Sequence, residues 1–358
     1  MKIGIAGLPR TGKTIVFRLL TGEHAHVAKG TEPSVGTAKL VEPRLDRLAE
    51  IFHPKKLTAP TAECLDFPAL APAAKRGEPE GSALASLRQV DLILHVIRDF
   101  EDARVPHQEG RIDPIRDIGL LDTLCLVADL DVVDKRIQRT TEDAGKGRKA
   151  EGQNERALLE RCRDWLRKER NLREMALTTE EEKNLRGYAF LTLKPVLLLV
   201  NIGEEKVGKA DPVWQRVQEI AAKLRTGCIS VAAKTEWELA QLPHEDAREF
   251  SKALGLETLE SPAILRRCLD LLDLITFFTV VGDELRAWAI PRGATALEAA
   301  GTIHTDMARG FIKVEVISFH DLDASGSIAA ARKQGLLRLE GKGYPVQDGD
   351  ILTVRFSR

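Results

Sequence analysis

Residues 7–14 read Gly7-Leu8-Pro9-Arg10-Thr11-Gly12-Lys13-Thr14, a complete G-x-x-x-x-G-K-[ST] phosphate-binding pattern. Each fixed position of that pattern has a chemical task. The glycines let the backbone wrap close to a β-phosphate and turn several N–H groups into one concavity. Lys13 adds a charge for the β- and γ-phosphates, and the Thr14 hydroxyl completes a Mg²⁺ coordination shell. The pattern implies binding of a nucleoside triphosphate. Phosphoryl transfer to water then needs an acid on a later strand to hold the metal's water shell. Asp66, at the end of Glu63-Cys64-Leu65-Asp66, is the candidate, acting through water. The expected catalytic set is therefore Lys13, Thr14 and Asp66.

Purine recognition is expected from the loop Asn201-Ile202-Gly203-Glu204, placed where GTPases carry N-K-x-D. An Asp in the last place accepts from both N1–H and N2–H₂ of guanine. Glu204 is one methylene longer and Ile202 replaces the lysine, so strong guanine selectivity should be lost. The Asn201 amide still suits a purine edge. Ser230, Val231 and Ala232 are expected to pack on the base through backbone groups, while Pro9, Arg10, Thr11, Gly12 and Ile15 complete the nucleotide contacts. For Arg10 two readings stay open, a surface role and a γ-phosphate contact. His304 invites a catalytic reading, but it lies in a separate module where a structural or interface role is expected.

The elements that would hold these residues alternate β and α. Lys2-Ile3-Gly4-Ile5-Ala6 is a short apolar strand, and Ile15, Leu19 and Leu20 share one face of the helix that follows the loop. Further strands are predicted at Thr37–Val41, Ala62–Asp66, Asp91–Val96, Pro195–Asn201 and Gly227–Val231, with helices at Val213–Leu224 and Glu236–Leu254. This is the signature of a parallel sheet flanked by helices. Residues 117–190 break the rhythm. Ile118, Leu121, Leu124, Val127, Leu130, Val133 and Ile137 fall at helical spacing, and so do Leu158, Leu159, Cys162, Trp165 and Leu166 beyond a charged turn. They predict an inserted antiparallel helical hairpin, its many bases interleaved with acids. Thr178-Thr179-Glu180-Glu181 offers a capping box to a returning helix. From 275 onward, strand and helix signals describe a small separate α+β module. The expected domains are thus 1–116 with 191–274, 117–190, and 275–358.

Composition narrows the functional class. With 358 residues, 30% of them charged and a net charge of −1, no global basic field points to nucleic acid. Five scattered cysteines without C-x-x-C spacing suggest reduced thiols and a cytoplasmic setting. The first strand begins at residue 2 and supports the phosphate loop, which disfavours a cleaved leader. No apolar run approaches the length of a membrane span.

At this level of detail the chain resembles the Obg-like ATPase (YchF) family of P-loop NTPases. The likeness includes Gly4-Ile5-Ala6-Gly7-Leu8-Pro9, Pro43-Arg44-Leu45-Asp46-Arg47-Leu48-Ala49-Glu50-Ile51 and Ala128-Asp129-Leu130-Asp131. It is densest near the C-terminus, in Glu284-Leu285-Arg286-Ala287-Trp288, Ala299-Ala300-Gly301-Thr302-Ile303-His304-Thr305-Asp306 and Asp348-Gly349-Asp350. The resemblance implies an α/β P-loop NTPase domain of the Obg-like type, an inserted helical hairpin and a C-terminal TGS-like domain. It further implies ATP bound and hydrolysed with Mg²⁺ in preference to GTP, and ribosome or ribosomal RNA as partner. It carries the family's N-x-x-E base loop onto Asn201, Ile202 and Glu204.

The departures concern the moving parts. Ile15 stands where the family has a second hydroxyl residue, and Gly30, with Thr31 one place late, occupies the first-switch threonine position. The second switch is altered to Asp66-Phe67-Pro68-Ala69-Leu70, with further prolines at 72 and 79 that remove N–H donors and stiffen the segment. Leu70 fills the slot of a water-orienting glutamine, as an apolar residue does in this family. A slow ATPase switch is the leading expectation. A regulatory protein that binds nucleotide with little hydrolysis, and a GTP-binding protein, are the alternatives.

Overall fold

The computed structural model describes residues 1–22, 32–70, 80–107, 110–145, 152–256 and 259–357. Its internal contacts divide the chain into two units, 1–38 with 63–264, and 39–62 with 265–358. The chain opens with β1 (Lys2–Ala6), α1 (Lys13–Thr21) and β2 (Ser34–Lys39). It then leaves the first unit for α2 (Arg44–Phe52) and β3 (Lys56–Thr58), and returns with β4 (Thr61–Asp66), α3 (Glu80–Leu87) and β5 (Leu92–Asp99). Beyond α4 (Pro114–Gly145), α5 (Gly152–Leu166) and α6 (Thr179–Leu185), the first unit is completed by β6 (Val196–Ile202), α7 (Pro212–Lys223), β7 (Gly227–Val231), α8 (Ala233–Leu239) and α9 (His244–Ala253). The helix expected over Glu236–Leu254 is thus two, parted at Pro243, which lacks the N–H a continuous helix needs.

The first sheet has the order β2-β4-β1-β5-β6-β7, with β1, β4, β5, β6 and β7 parallel. Every residue of β5 is buried, as a strand covered on both faces requires. Ile93, Ile97, Leu198 and Val200 build one core face with α3, α4 and α7. Helix α4 serves two cores. Ile118, Leu121 and Cys125 pack on the sheet, whereas Leu126, Val133 and Ile137 pack on Leu158, Leu159, Cys162 and Leu166 of α5. The changeover leaves Val127, expected in the stripe, 63% exposed. The hairpin's bases are neutralised internally, for example Lys135 by Asp131, Arg136 by Glu155 and Arg173 by Asp122. Thr178 and Glu181 form the expected capping box on α6. The fully buried Asp129 of α4 accepts from Leu191 N, Thr192 N, Thr192 Oγ1 and Arg88, fixing the turn that launches β6.

The second unit adds α10 (Ser261–Leu271, which begins in the first), β8 (Leu274–Val281), β9 (Glu284–Pro291), α11 (Ala296–Ile303), α12 (Thr305–Arg309), β10 (Phe311–Ser318), α13 (Phe319–Ser325), α14 (Ile328–Lys333), β11 (Arg338–Glu340) and β12 (Asp350–Phe356). Its sheet runs β11-β10-β12-β8-β9-β3, so a strand from residues 56–58 pairs parallel with β9 as an edge. Residues 39–62, read from the sequence with the first domain, therefore belong to this unit by contact. The reason is apolar. Leu45 and Leu48 of α2 close a core with Phe278, Leu285, Ile317 and Ile351. Arg44 locks the helix in place through two bonds to Glu42 and one to Asp348 at 2.7–2.8 Å, its guanidinium lying over the Phe278 ring. Replacing the fully buried Leu48 by Ala should cost this unit about 2–5 kcal/mol. Hydrogen exchange should show the loss in β8 and β12; protection unchanged there would mean that α2 is not part of that core.

Candidate nucleotide-binding site

The phosphate loop is squeezed between strands, and glycine is required twice. At Gly7 a Cβ would lie 2.4 Å from the Val96 carbonyl oxygen of β5. At Gly12, left-handed at φ 91°, it would lie 2.3 Å from Asn201 Nδ2. Thr11 Oγ1 donates to Leu8 O at 3.1 Å and steadies the turn. Helix α1 starts at Lys13 with no side-chain cap, so its N-terminus is open to an anion.

Lys13 is 8% exposed and donates from Nζ to Gly7 O (3.2 Å) and Leu8 O (3.0 Å). Burial pulls its ammonium down to about 8, against the favourable charge of Asp66. Thr14 Oγ1 donates to Asp66 Oδ2 at 2.9 Å, while the buried Oδ1 of Asp66 has no partner. Burial raises the Asp66 carboxyl above its ordinary range, opposed by the Thr14 hydroxyl and the Lys13 charge. His95 on the neighbouring β5 is held neutral, pushed down to about 3 by burial and by the charges of Lys13 and Arg173. Lys13, Thr14 and Asp66 thus meet as a cluster. Leu70 follows with its side chain buried and its N–H bonded to Gly7 O, so it offers a water no polar group. Gly30, Thr31, Pro72 and Pro79 lie outside the described residues.

Beside the loop opens a cleft of about 360 Å³, lined among others by Arg10, Gly12, Ile15, Asn201, Ile202 and Glu204. Asn201 is buried, and its amide is engaged on both sides. Nδ2 donates to Thr11 O (3.0 Å) and Oδ1 accepts from Ala233 N (3.2 Å), tying the phosphate loop to the start of α8. Of the Ser230–Ala232 strand end, Val231 is buried, while Ser230 and Ala232 line a neighbouring cleft that also touches Ile202. Lys234 and Thr235 face the loop cleft instead. Pro9 sits half-buried at the loop's apex.

The opposite wall is a group of residues not singled out in the sequence. Phe100, Glu101, Asp102 and Val105 line the cleft. Beneath them Arg98, 1% exposed, donates to Phe100 O (3.0 Å) and Val105 O (2.7 Å) and lies under the Phe100 ring. Arg10 Nη1 donates to Pro106 O at 3.0 Å. His107 Nε2 lies 3.0 Å from Asp117 Oδ2 of α4, an acid also held by Arg116. The available signal was a charged residue inside the apolar run of β5, where burial without a purpose is expensive.

Residues 274–357 match a family model described as YchF-GTPase_C, protein of unknown function (DUF933). The whole chain is 38% identical over 361 residues to the ribosome-binding ATPase YchF of Escherichia coli O157:H7, covering 99% of each. The corresponding protein of Bacillus subtilis is 37% identical over 364 residues, covering 99% of this chain and 98% of the relative. Among solved structures, that of the Schizosaccharomyces pombe YchF GTPase superposes with a TM-score of 0.86 at 27% identity, covering 99% of this chain and 97% of that one.

The buried state of Lys13 has a measurable consequence. A triphosphate favours the charged ammonium, so its binding should raise the Lys13 pKa from about 8. At pH 9 complex formation should take up close to one proton, and at pH 7 almost none. Calorimetric titrations in buffers of different ionisation enthalpy measure this directly; equal uptake at both pH values would refute a Lys13 ammonium depressed by burial.

Proposed function

As the chain belongs to the YchF family of P-loop NTPases, we propose that it binds ATP in the cleft beside Gly7–Thr14, hydrolyses it slowly to ADP and phosphate, and acts as a ribosome-associated switch in the cytoplasm. The observation that carries this reading is the meeting of Lys13, Thr14 and Asp66 at an uncapped helix N-terminus. Lys13 would leave the Gly7 and Leu8 carbonyls for the phosphates. Thr14 Oγ1 and Asp66 suit Mg²⁺, since both offer hard oxygens and one buried Asp66 oxygen lacks a partner. Thr14 would ligate the ion and Asp66 would hold its water; when bound, Mg²⁺ neutralises charge on the β- and γ-phosphates. Slow turnover is supported by Leu70, whose buried side chain leaves the attacking water without an orienting group from that position. No helix among the described residues is long and apolar enough to cross a membrane. The hairpin at 117–190 and the C-terminal TGS-like unit are assigned to partner contacts.

Lys13→Ala should weaken ATP binding by about 1.5–3 kcal/mol, roughly tenfold or more, with the fold retained. Turnover of γ-labelled ATP should be low alone and rise with ribosomes, and this variant should abolish it. Equal turnover with and without ribosomes would remove the switch reading, and none in either case would leave a nucleotide-binding regulator.

The relatives' names divide between ATPase and GTPase, and the composition of the base loop supports ATP. Glu204 is exposed at the cleft, and the Asn201 amide is already spent on Thr11 and Ala233, so the 201–204 loop offers guanine's extra donors no short acceptor. ATP should bind at least as tightly as GTP, and Ile202→Lys with Glu204→Asp should shift preference toward GTP in competition titrations. A clear wild-type preference for GTP would overturn this assignment.

A further inference from the structure

Two guanidinium groups converge on consecutive carbonyls of the cleft wall. Arg98 bonds Val105 O from below and Arg10 bonds Pro106 O from the cleft side. Among the described residues, neither has a carboxylate within ion-pair distance, whereas most arginines of the hairpin do. Burial depresses the Arg98 guanidinium, Glu101 and Asp102 oppose this, and the Arg10 charge adds to it, so the two cations repel. Arg10 also holds a left-handed backbone at φ 64°, which costs a non-glycine residue of order 1 kcal/mol. That conformation sends its side chain along the cleft lined by Gly12 and Asn201, three residues before Lys13.

A pair of cations with no described carboxylate in ion-pair contact, at the rim of an anion site, is poised for an anion. We propose that Arg10 is a nucleotide-binding residue whose guanidinium rests on Pro106 in the empty site and transfers to the polyphosphate chain when ATP enters. The inference rests on the nucleotide reading of the cleft given above. Transfer relieves the repulsion from Arg98 and supplies a second mobile charge beside Lys13. It also releases one tie on loop 100–106, so that wall registers the presence of the triphosphate. Arg98 remains a positioning residue, since its bonds to Phe100 and Val105 lie behind the wall.

The test is titration of ATP into wild type, Arg10→Gln, Arg10→Lys and Lys13→Ala, each at low and high salt. Arg10→Gln should bind ATP about tenfold more weakly, the usual scale for a charge-assisted phosphate contact, and Arg10→Lys should stay within about threefold of wild type. The salt dependence of ATP affinity should flatten in Arg10→Gln alone of these two, because a screened charge has been removed. If Lys13→Ala loses ATP while Arg10→Gln keeps wild-type affinity and salt dependence, Arg10 is only a latch to a neutral carbonyl and the inference is overturned. Equal losses in Arg10→Gln and Arg10→Lys with an unchanged salt dependence overturn it as well. If Lys13→Ala binds ATP as wild type does, the cleft itself has been misread, and this inference falls with it.

Discussion

The carboxyl edge of the first sheet depends on how closely three backbones approach one amide. Asn201 joins the Thr11 carbonyl of the phosphate loop to the Ala233 N–H that begins α8, with no room at Gly12 for a Cβ between them. Removing that amide would leave two buried backbone groups unpaired, at about 1–3 kcal/mol each. The loop's height over β5, the direction of α1 and the entrance to α8 are set together by this contact. Asp129 performs the equivalent service one layer down, where its four hydrogen bonds fix the turn from which β6 delivers Asn201.

The site held by this frame is electrostatically unfinished. It contains a buried lysine resting on carbonyls, a buried carboxylate oxygen with no partner and two arginines that, among the described residues, bond carbonyls and form no ion pair. A folded chain tolerates such groups where ligand binding satisfies them, and their arrangement ahead of binding means little reorganisation is left to do. The hairpin differs: most of its described arginines pair with its own acids, and the buried atoms left without a partner there, Arg163 Nε and Asn171 Oδ1, are scattered instead of gathered in one cleft.

Local pattern made much of this legible. The phosphate loop, the apolar strands and the capping box at Thr178 each depend on neighbours within a few residues, and their positions agree with the sequence to within about three residues at element ends. What escaped depends on distant partners. Nothing near Lys56–Thr58 announces pairing with Glu284–Arg286, and the stripe of α2 looks like that of any helix packed on the nearest sheet. Two sequence runs that carried the family resemblance, around Arg44 and around Asp348, prove to touch each other. Arg98 and His107 escaped because a lone charge in a strand or loop has no periodicity to betray it.

The excursion of residues 39–62 into the second unit also has a consequence during synthesis. Helix α2 is made about 220 residues before β8, which corresponds to roughly 10–40 s at ordinary elongation rates. Through that interval Leu45 and Leu48 have none of the strands that later cover them. The first unit must close its own sheet around an unfinished loop whose apolar face stays open to solvent, chaperones or self-association. Completion of this protein is therefore reported at its amino-terminal third only when its last strands arrive, and a chain released early would carry that exposed face permanently.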